Sequence, residues 1–143
     1  MIYRIVVATD FSEPSEFALR YALTILAGIP GSELHPTHVI VDTSAGDHIA
    51  RDERFLGDAL ARLRESVGAT HRDTKADGER IERDVVYHVR LAKNAARAIE
   101  QVALDVNADL VVVGTHHRKG IGRLVLGSVA EDLLKGGRVA LLV

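Results

Sequence analysis

The chain has 143 residues, 47% of them apolar, and no cysteine. That length buries a core of ordinary size, that apolar share argues against disorder, and the missing thiols exclude disulfides, thiolate catalysis and cysteine-based metal sites. Basic residues number 18 against 20 acidic ones, for a net charge of −2, so nothing global draws the chain to nucleic acid or to an anionic membrane.

The N-terminus enters a short apolar run without the long h-region of a signal peptide. No apolar stretch approaches the ~20 residues of a membrane span. The expectation is a cytoplasmic protein of one domain, 1–143, with no nucleic-acid or membrane partner. Residues 5–8 read as a first buried strand, which ends at Ala8-Thr9-Asp10. Ser12 can cap the helix that follows, and Pro14 suits its first turn. Phe17, Tyr21 and Ile25, with Ala18 and Ala22, give an apolar face, and Gly28, Pro30 and Gly31 end the helix. A second strand covers 34–41, where Pro36 suggests an edge or a strand start.

Residues 42–52 are polar loop. Phe55, Leu56, Ala59, Leu60, Leu63 and Val67 repeat at helical spacing and predict a second helix over 51–67. Residues 68–82 are charged and aperiodic, a solvated loop or a polar extension of that helix. A third strand is expected at 84–89. A third helix is expected at 93–106, stopped by a left-handed Asn107. The continuous apolar run Leu110-Val111-Val112-Val113 suits a fourth strand buried on both faces. A short fourth helix ends at Gly136-Gly137, and 139–143 is a last strand. Strands alternating with helices through long crossovers imply an α/β fold: an open parallel sheet with helices on both faces.

The stretch after the fourth strand, Gly114-Thr115-His116-His117-Arg118-Lys119-Gly120-Ile121-Gly122-Arg123, is a glycine-rich basic loop, and Gly127-Ser128 opens a helix beyond it. Strand, basic glycine loop and helix start form the outline of a phosphate cradle. In an open parallel sheet, ligands gather beyond the carboxyl ends of the strands where strand order reverses. If the reversal lies between strands one and four, Asp10 and Gly114 face one crevice. Asp10 then accepts from ribose hydroxyls, or it is a turn residue before the first helix. Ser128 is a phosphate ligand or the N-cap of a capping box with Glu131. The P-loop, dinucleotide and nucleophile-elbow motifs are all missing. Neither a catalytic constellation nor a metal-ligand spacing emerges: His38, His88, His116 and His117 have no H-x3-H or acidic partner spacing.

Taken together, Asp10-Phe11-Ser12, His38-Val39, the run from Ala108 to His116, and Leu126-Gly127-Ser128-Val129-Ala130-Glu131 resemble the universal stress protein family. Its signature is G-x2-G-x9-G-[ST]. The resemblance spans the chain and implies a five-stranded parallel sheet of order 3-2-1-4-5. It also implies ATP, with or without Mg²⁺, bound between strands one and four. Adenine would lie against Val39 and ribose on Asp10 beside Ala8 and Thr9. Phosphates would meet Gly114, Gly127, Ser128 and the Val129 N–H, with Arg118 beside them. Gly120 and Gly122 are then secondary loop glycines. A homodimer through the last strand, Val139 to Val143, is implied too, with hydrolysis slow or absent.

Three departures stand out. His117 occupies the second signature glycine, where its ring either donates to phosphate or fills the phosphate space. The turn after strand three reads Leu91-Ala92-Lys93-Asn94. The approach to the last strand reads Gly137-Arg138-Val139 where a Pro-Val pair is usual. The first departure keeps an alternative open: an interaction module of the same fold that does not bind nucleotide.

Overall fold

The computed structural model describes residues 1–41, 53–72, 74, 78–115 and 127–143. In chain order the elements are β1 (Arg4–Ala8), α1 (Glu13–Gly28), β2 (Glu33–Val41), α2 (Glu53–His71), α3 (Gly78–Asp84), β3 (His88–Ala92), α4 (Ala95–Asp105), β4 (Leu110–Val112), α5 (Ser128–Gly136) and β5 (Leu141–Leu142). The strands form one sheet of order β3-β2-β1-β4-β5, and every pairing is parallel. The fold class, the strand order and the reversal between β1 and β4 are those expected.

Side chains alternate across the sheet, as strand geometry requires. Ile5, Val7 and Val112 enter one core with Leu19, Leu23 and Leu26 of α1, Val67 of α2 and Ile81 of α3. Val6, Val111 and Val113 enter the other core, with Ile99 and Val102 of α4 and Leu133 of α5. The central strands are thus covered on both faces, which accounts for their continuous apolar runs.

On α1 the buried stripe is Ser15, Ala18, Leu19, Ala22, Leu23 and Leu26. Phe17 and Tyr21, expected to lie inward, are each 59% exposed. The true stripe keeps an i, i+3, i+4, i+7 rhythm over three turns. The aromatics sit on the flank nearest β4 and β5.

Pro36 also lies elsewhere than its residue type suggests. β2 is an inner strand, flanked by β3 and β1, and Pro36 sits within it. A strand residue points its N–H and C=O toward the same neighbour. Glu33 N–H bonds Tyr3 O and Thr37 O accepts from Thr9 N–H, so odd-numbered residues serve β1. Leu34 O accepts from Val86 N–H, so even-numbered residues serve β3. Pro36 therefore lacks a donor only on the β3 side, and there the ladder breaks. Leu34 bridges Val85, and regular pairing resumes at Thr37 and His88, which leaves Tyr87 opposite the proline. Hence the third strand begins at His88 and not at residue 84.

The charged segment expected as loop or helix extension is helical at both of its ends. α2 runs on to His71, and α3 is a separate helix of 7 residues. α3 buries only Ile81. Its anchor is Arg80, whose guanidinium donates to the carbonyls of Leu26 and Ile29 and to Ser32, while pairing with Asp84 at 3.0 Å. Those carbonyls close the C-terminal end of α1, where a cation complements the helix dipole.

Helix ends elsewhere follow local chemistry. Asn94 caps α4 by accepting from Arg97 N–H at 3.0 Å, which gives the departure after strand three a purpose. Asn107 is left-handed at φ 52°. Gly137 ends α5 at φ 63°, a left-handed stop that favours glycine. β5 is shorter than the expected 139–143. Among the described residues no helix is long and apolar enough to cross a membrane.

Candidate nucleotide-binding cleft

A cleft of about 110 Å³ opens at the carboxyl ends of β1 and β4. Ala8, Thr9 and Asp10 line it from β1, and Val39 from β2. Gly114 lines it from the end of β4, and Gly127, Ser128 and Val129 from the start of α5. Eight of the ten expected positions, drawn from four separate segments, therefore meet in one place. The other two, His117 and Arg118, lie outside the described residues, as do His116, Lys119, Gly120, Gly122 and Arg123. Ser12, Ser15, Pro14, Thr37, Ala95, Ile99 and Val113 complete the lining, and none of them is a site residue expected from the sequence. The hydroxyl-rich run Ser12 to Ser15, following Asp10, is the signal that could have marked the first two.

Of the two roles its spacing left open, Asp10 has the contacts of a turn residue before α1. Its Oδ1 accepts from the Ser12 N–H at 3.0 Å and from the Ser12 hydroxyl. The same hydroxyl caps α1 by accepting from Ser15 N–H. No described residue bonds Oδ2, and Asp10 is exposed. Partial burial pushes the carboxyl up, but the Ser12 hydroxyl, the Ser12 N–H and the Ser15 hydroxyl outweigh it and hold the group below its ordinary value. A carboxylate so held stays ionised, which suits an acceptor better than a base.

Thr9 lines the cleft as expected, with its polar atoms turned to the protein. It is buried, with its Oγ1 against the Ser15 hydroxyl at 3.1 Å and accepting from Phe11 N–H at 3.1 Å. Its N–H bonds Thr37 O, and its carbonyl accepts from His38 Nδ1 at 2.8 Å. Thr9 thus fixes the β1 exit and has its polar atoms engaged within the protein.

Gly114 has a packing reason to be glycine. A Cβ there would lie 2.4 Å from the Pro14 carbonyl oxygen and 2.9 Å from Ser15 N. The first turn of α1 rests directly on the end of β4.

At the far wall the N-cap of α5 is Gly127, which makes no side-chain cap, and Glu131 N–H bonds Gly127 O at 3.0 Å. Ser128 is therefore the first helical residue, and the capping-box reading does not hold. Its hydroxyl is exposed and meets no described partner. The first N–H groups of an α-helix have no carbonyl of their own and carry the positive end of its dipole. Here they face a cleft whose only charged described lining residue is Asp10. One wall accepts hydrogen bonds and the other donates them.

The described histidines have other partners. His38 donates to Thr9 O, and His35 and His88 meet ring to ring at 2.9 Å between Nδ1 and Nε2. Among the described residues no group of three or more His, Asp or Glu is placed to hold a metal ion.

A sequence model described as the universal stress protein family matches residues 1–143. A crystal structure of a protein of that family from Burkholderia pseudomallei is 30% identical, with 97% of this chain and 94% of that one covered and a TM-score of 0.55. A universal stress protein from Archaeoglobus fulgidus is 23% identical, with 99% and 98% covered and a TM-score of 0.67. A universal stress protein solved in complex with cAMP is 21% identical, with 99% and 94% covered and a TM-score of 0.63. No curated protein matches the chain.

Proposed function

The chain belongs to the universal stress protein family, and from that premise we propose that it binds ATP or a related adenine nucleotide in the cleft between β1 and β4, as a nucleotide-responsive stress protein. The observation that carries the reading is the convergence of Ala8, Thr9, Asp10, Val39, Gly114, Gly127, Ser128 and Val129 on one cleft. Adenine packs on Val39, a half-buried side chain beside the α4 core. Ribose hydroxyls donate to Asp10 Oδ2. Phosphate oxygens accept from the N–H groups of Ser128 and Val129 and from the Ser128 hydroxyl. Their charge, with or without Mg²⁺, is balanced by the dipole of α5 and by Arg118 of the basic loop. A similar protein of the family is a cAMP complex, which supports an adenine nucleotide as the ligand class.

A thermal-shift titration with ATP and Mg²⁺ tests this. At a hundredfold excess over Kd, bound ligand stabilises by about 2.7 kcal/mol. For a chain of this size that raises Tm by roughly 5–10 °C. No shift at millimolar ATP sinks the proposal. Phosphate release that is equal in wild type and Asp10→Ala removes the weaker reading of a slow ATPase.

We further propose a homodimer through Val139 to Val143. β5 is an edge strand, and an edge offers unpaired backbone groups to another chain. Beside it, a hollow of about 790 Å³ on the α1 side is lined by Phe17, Tyr21, Val112, Leu142 and Val143. Its apolar wall suits protein contact better than a triphosphate. The protein would act in the cytoplasm.

One observation favours a second reading. The cleft's 110 Å³ is well below the ~300–1,000 Å³ of ordinary ligand pockets. A module that works through its dimer surface, with His117 filling the phosphate space, would need no larger one. The same titration separates the two.

A further inference from the structure

Phe11 sits between Asp10 and Ser12 with a backbone φ of 64°. A positive φ is uncommon outside glycine, asparagine and aspartate, and a bulky side chain there is an outlier. Such outliers persist where surrounding contacts over-determine them, and they cluster at sites of function.

The contacts that hold Phe11 come from three elements. Its N–H donates to Thr9 Oγ1 at 3.1 Å, at the β1 exit. Its ring lies 4.5 Å from the His38 imidazole of β2, tilted by 42°. The Arg62 guanidinium of α2 stands over the ring, 4.1 Å from its centroid, in the geometry of a cation–π contact. His38 is itself pinned, since its Nδ1 donates to the Thr9 carbonyl at 2.8 Å. The reversal at residue 11 brings the Ser12 N–H and hydroxyl back onto Asp10 Oδ1, and both donors fall on that one oxygen. Oδ1 is thereby anchored, and no described residue bonds Oδ2.

We propose that Phe11 is a positioning residue: its ring, clamped by contacts with His38 and Arg62, keeps residue 11 left-handed, and that conformation presents the Asp10 carboxylate to the cleft. The inference rests on the nucleotide reading for its functional meaning, because Asp10 is there the ribose acceptor. It also ties α2, none of whose residues lines the cleft, to the geometry of the site.

Backbone conformation and packing volume make opposite predictions at this position. Alanine keeps the penalty for a positive φ and loses the clamp, whereas glycine adopts a positive φ freely. The test measures ATP affinity by calorimetry and the Asp10 carboxyl midpoint by ¹³C NMR. Its variants are Phe11→Ala, Phe11→Gly, Arg62→Ala and Arg62→Ala combined with Phe11→Gly. Phe11→Ala is expected to weaken ATP about tenfold, the loss of one well-placed hydrogen bond, and to move the Asp10 midpoint up toward the ordinary value. Phe11→Gly should fall between Phe11→Ala and wild type. Arg62→Ala should act in the same direction alone and add nothing to Phe11→Gly. Wild-type values for Phe11→Ala, or a larger loss for Phe11→Gly than for Phe11→Ala, overturn the proposal. If wild type shows no heat with ATP, the nucleotide reading fails, and the order of the Asp10 midpoints still decides the role of Phe11. Should Phe11→Ala not fold, Arg62→Ala decides: it alters an exposed side chain, and an unmoved Asp10 midpoint there rejects the clamp.

Discussion

Replacing Gly114 by alanine separates two reasons for a glycine at that position, contact with a ligand and contact with the chain itself. The added Cβ would stand 2.4 Å from the Pro14 carbonyl oxygen, 2.5 Å from its carbon and 2.9 Å from Ser15 N. All three are backbone atoms of the first turn of α1. That turn is locked by Glu16 N–H on Ser12 O at 2.9 Å and by the Ser15 hydroxyl on the same carbonyl at 2.9 Å. No side chain can swing away, so α1 and β4 must part by about 0.6 Å to bring even the closest contact to 3.0 Å. Overpacking typically costs ~1–3 kcal/mol and occasionally more; backbone against backbone places this substitution near ~3 kcal/mol. With a urea dependence of ~2 kcal/mol per molar, the midpoint falls by roughly 1.5 M, and the chain stays folded because domains of this kind carry ~5–15 kcal/mol. Gly57→Ala is the control: that glycine is exposed inside α2 with nothing within 4 Å of a new Cβ. It should gain ~0.5–1 kcal/mol. Equilibrium urea unfolding without nucleotide measures both. A Gly114→Ala midpoint within 0.5 kcal/mol of wild type would refute the packing argument and return Gly114 to a purely ligand-facing role.

Ser128→Ala removes a hydroxyl at the first helical position but no cap, so stability should stay within about 0.5 kcal/mol while ATP binding weakens ~5- to 10-fold. Urea unfolding and calorimetry read the two effects, and a loss of stability near 1 kcal/mol, typical of a removed N-cap, would restore the capping role. The His35–His88 pair sets a pH dependence. Burial, His35 and Arg90 press His88 down to about 4, and burial lowers His35. A histidine depressed in the fold binds fewer protons folded than unfolded, so stability is full above the unfolded value near 6.5 and falls as pH drops from there toward 4. Water at the half-exposed His88 ring screens part of the cost, leaving a loss of ~1–2 kcal/mol; His88→Gln should flatten that slope in urea midpoints at pH 7 and pH 4.5, and an unchanged slope contradicts it. Arg80→Met strips the carbonyls of Leu26 and Ile29 of a charged donor and should cost ~2–3 kcal/mol in the same assay; a change below 0.5 kcal/mol would mean that α3 is held by Ile81 alone.

The parts of this fold that were legible in the sequence are those written by local chemistry. The runs at 5–8 and 110–113 are apolar because β1 and β4 are covered on both faces. Asn107 and Gly137 mark helix ends because few residues tolerate a left-handed backbone. The illegible parts depend on partners far along the chain. α3 buries one side chain, and its anchor, Arg80, reaches residues 48 to 54 positions away. No window of sequence contains that interaction. Pro36 argues locally for an edge, yet the sheet accommodates it by opening the ladder opposite Tyr87. On α1, the large aromatics outweighed the smaller residues that are truly buried.

The cleft divides in the same way. Its positions are those the family resemblance implies, but the contacts each makes within the chain are not legible there. Thr9, expected beside the ligand, is spent on Ser15, Phe11, Thr37 and His38. Gly114 answers to Pro14, and Ser128, freed from capping, becomes the clearer ligand candidate. Phe11 reads as an ordinary residue in Asp10-Phe11-Ser12, since a backbone angle has no signature of its own when the residue is not glycine.

The central claim is that the cleft between β1 and β4 holds an adenine nucleotide through Asp10. Isothermal titration of wild type and Asp10→Ala with ATP and Mg²⁺ tests it most directly. The account predicts one saturable site per chain in wild type, weakened about tenfold or more in Asp10→Ala by loss of the charged acceptor. Absence of binding to wild type at millimolar ATP, or equal affinity in the two proteins, would contradict it.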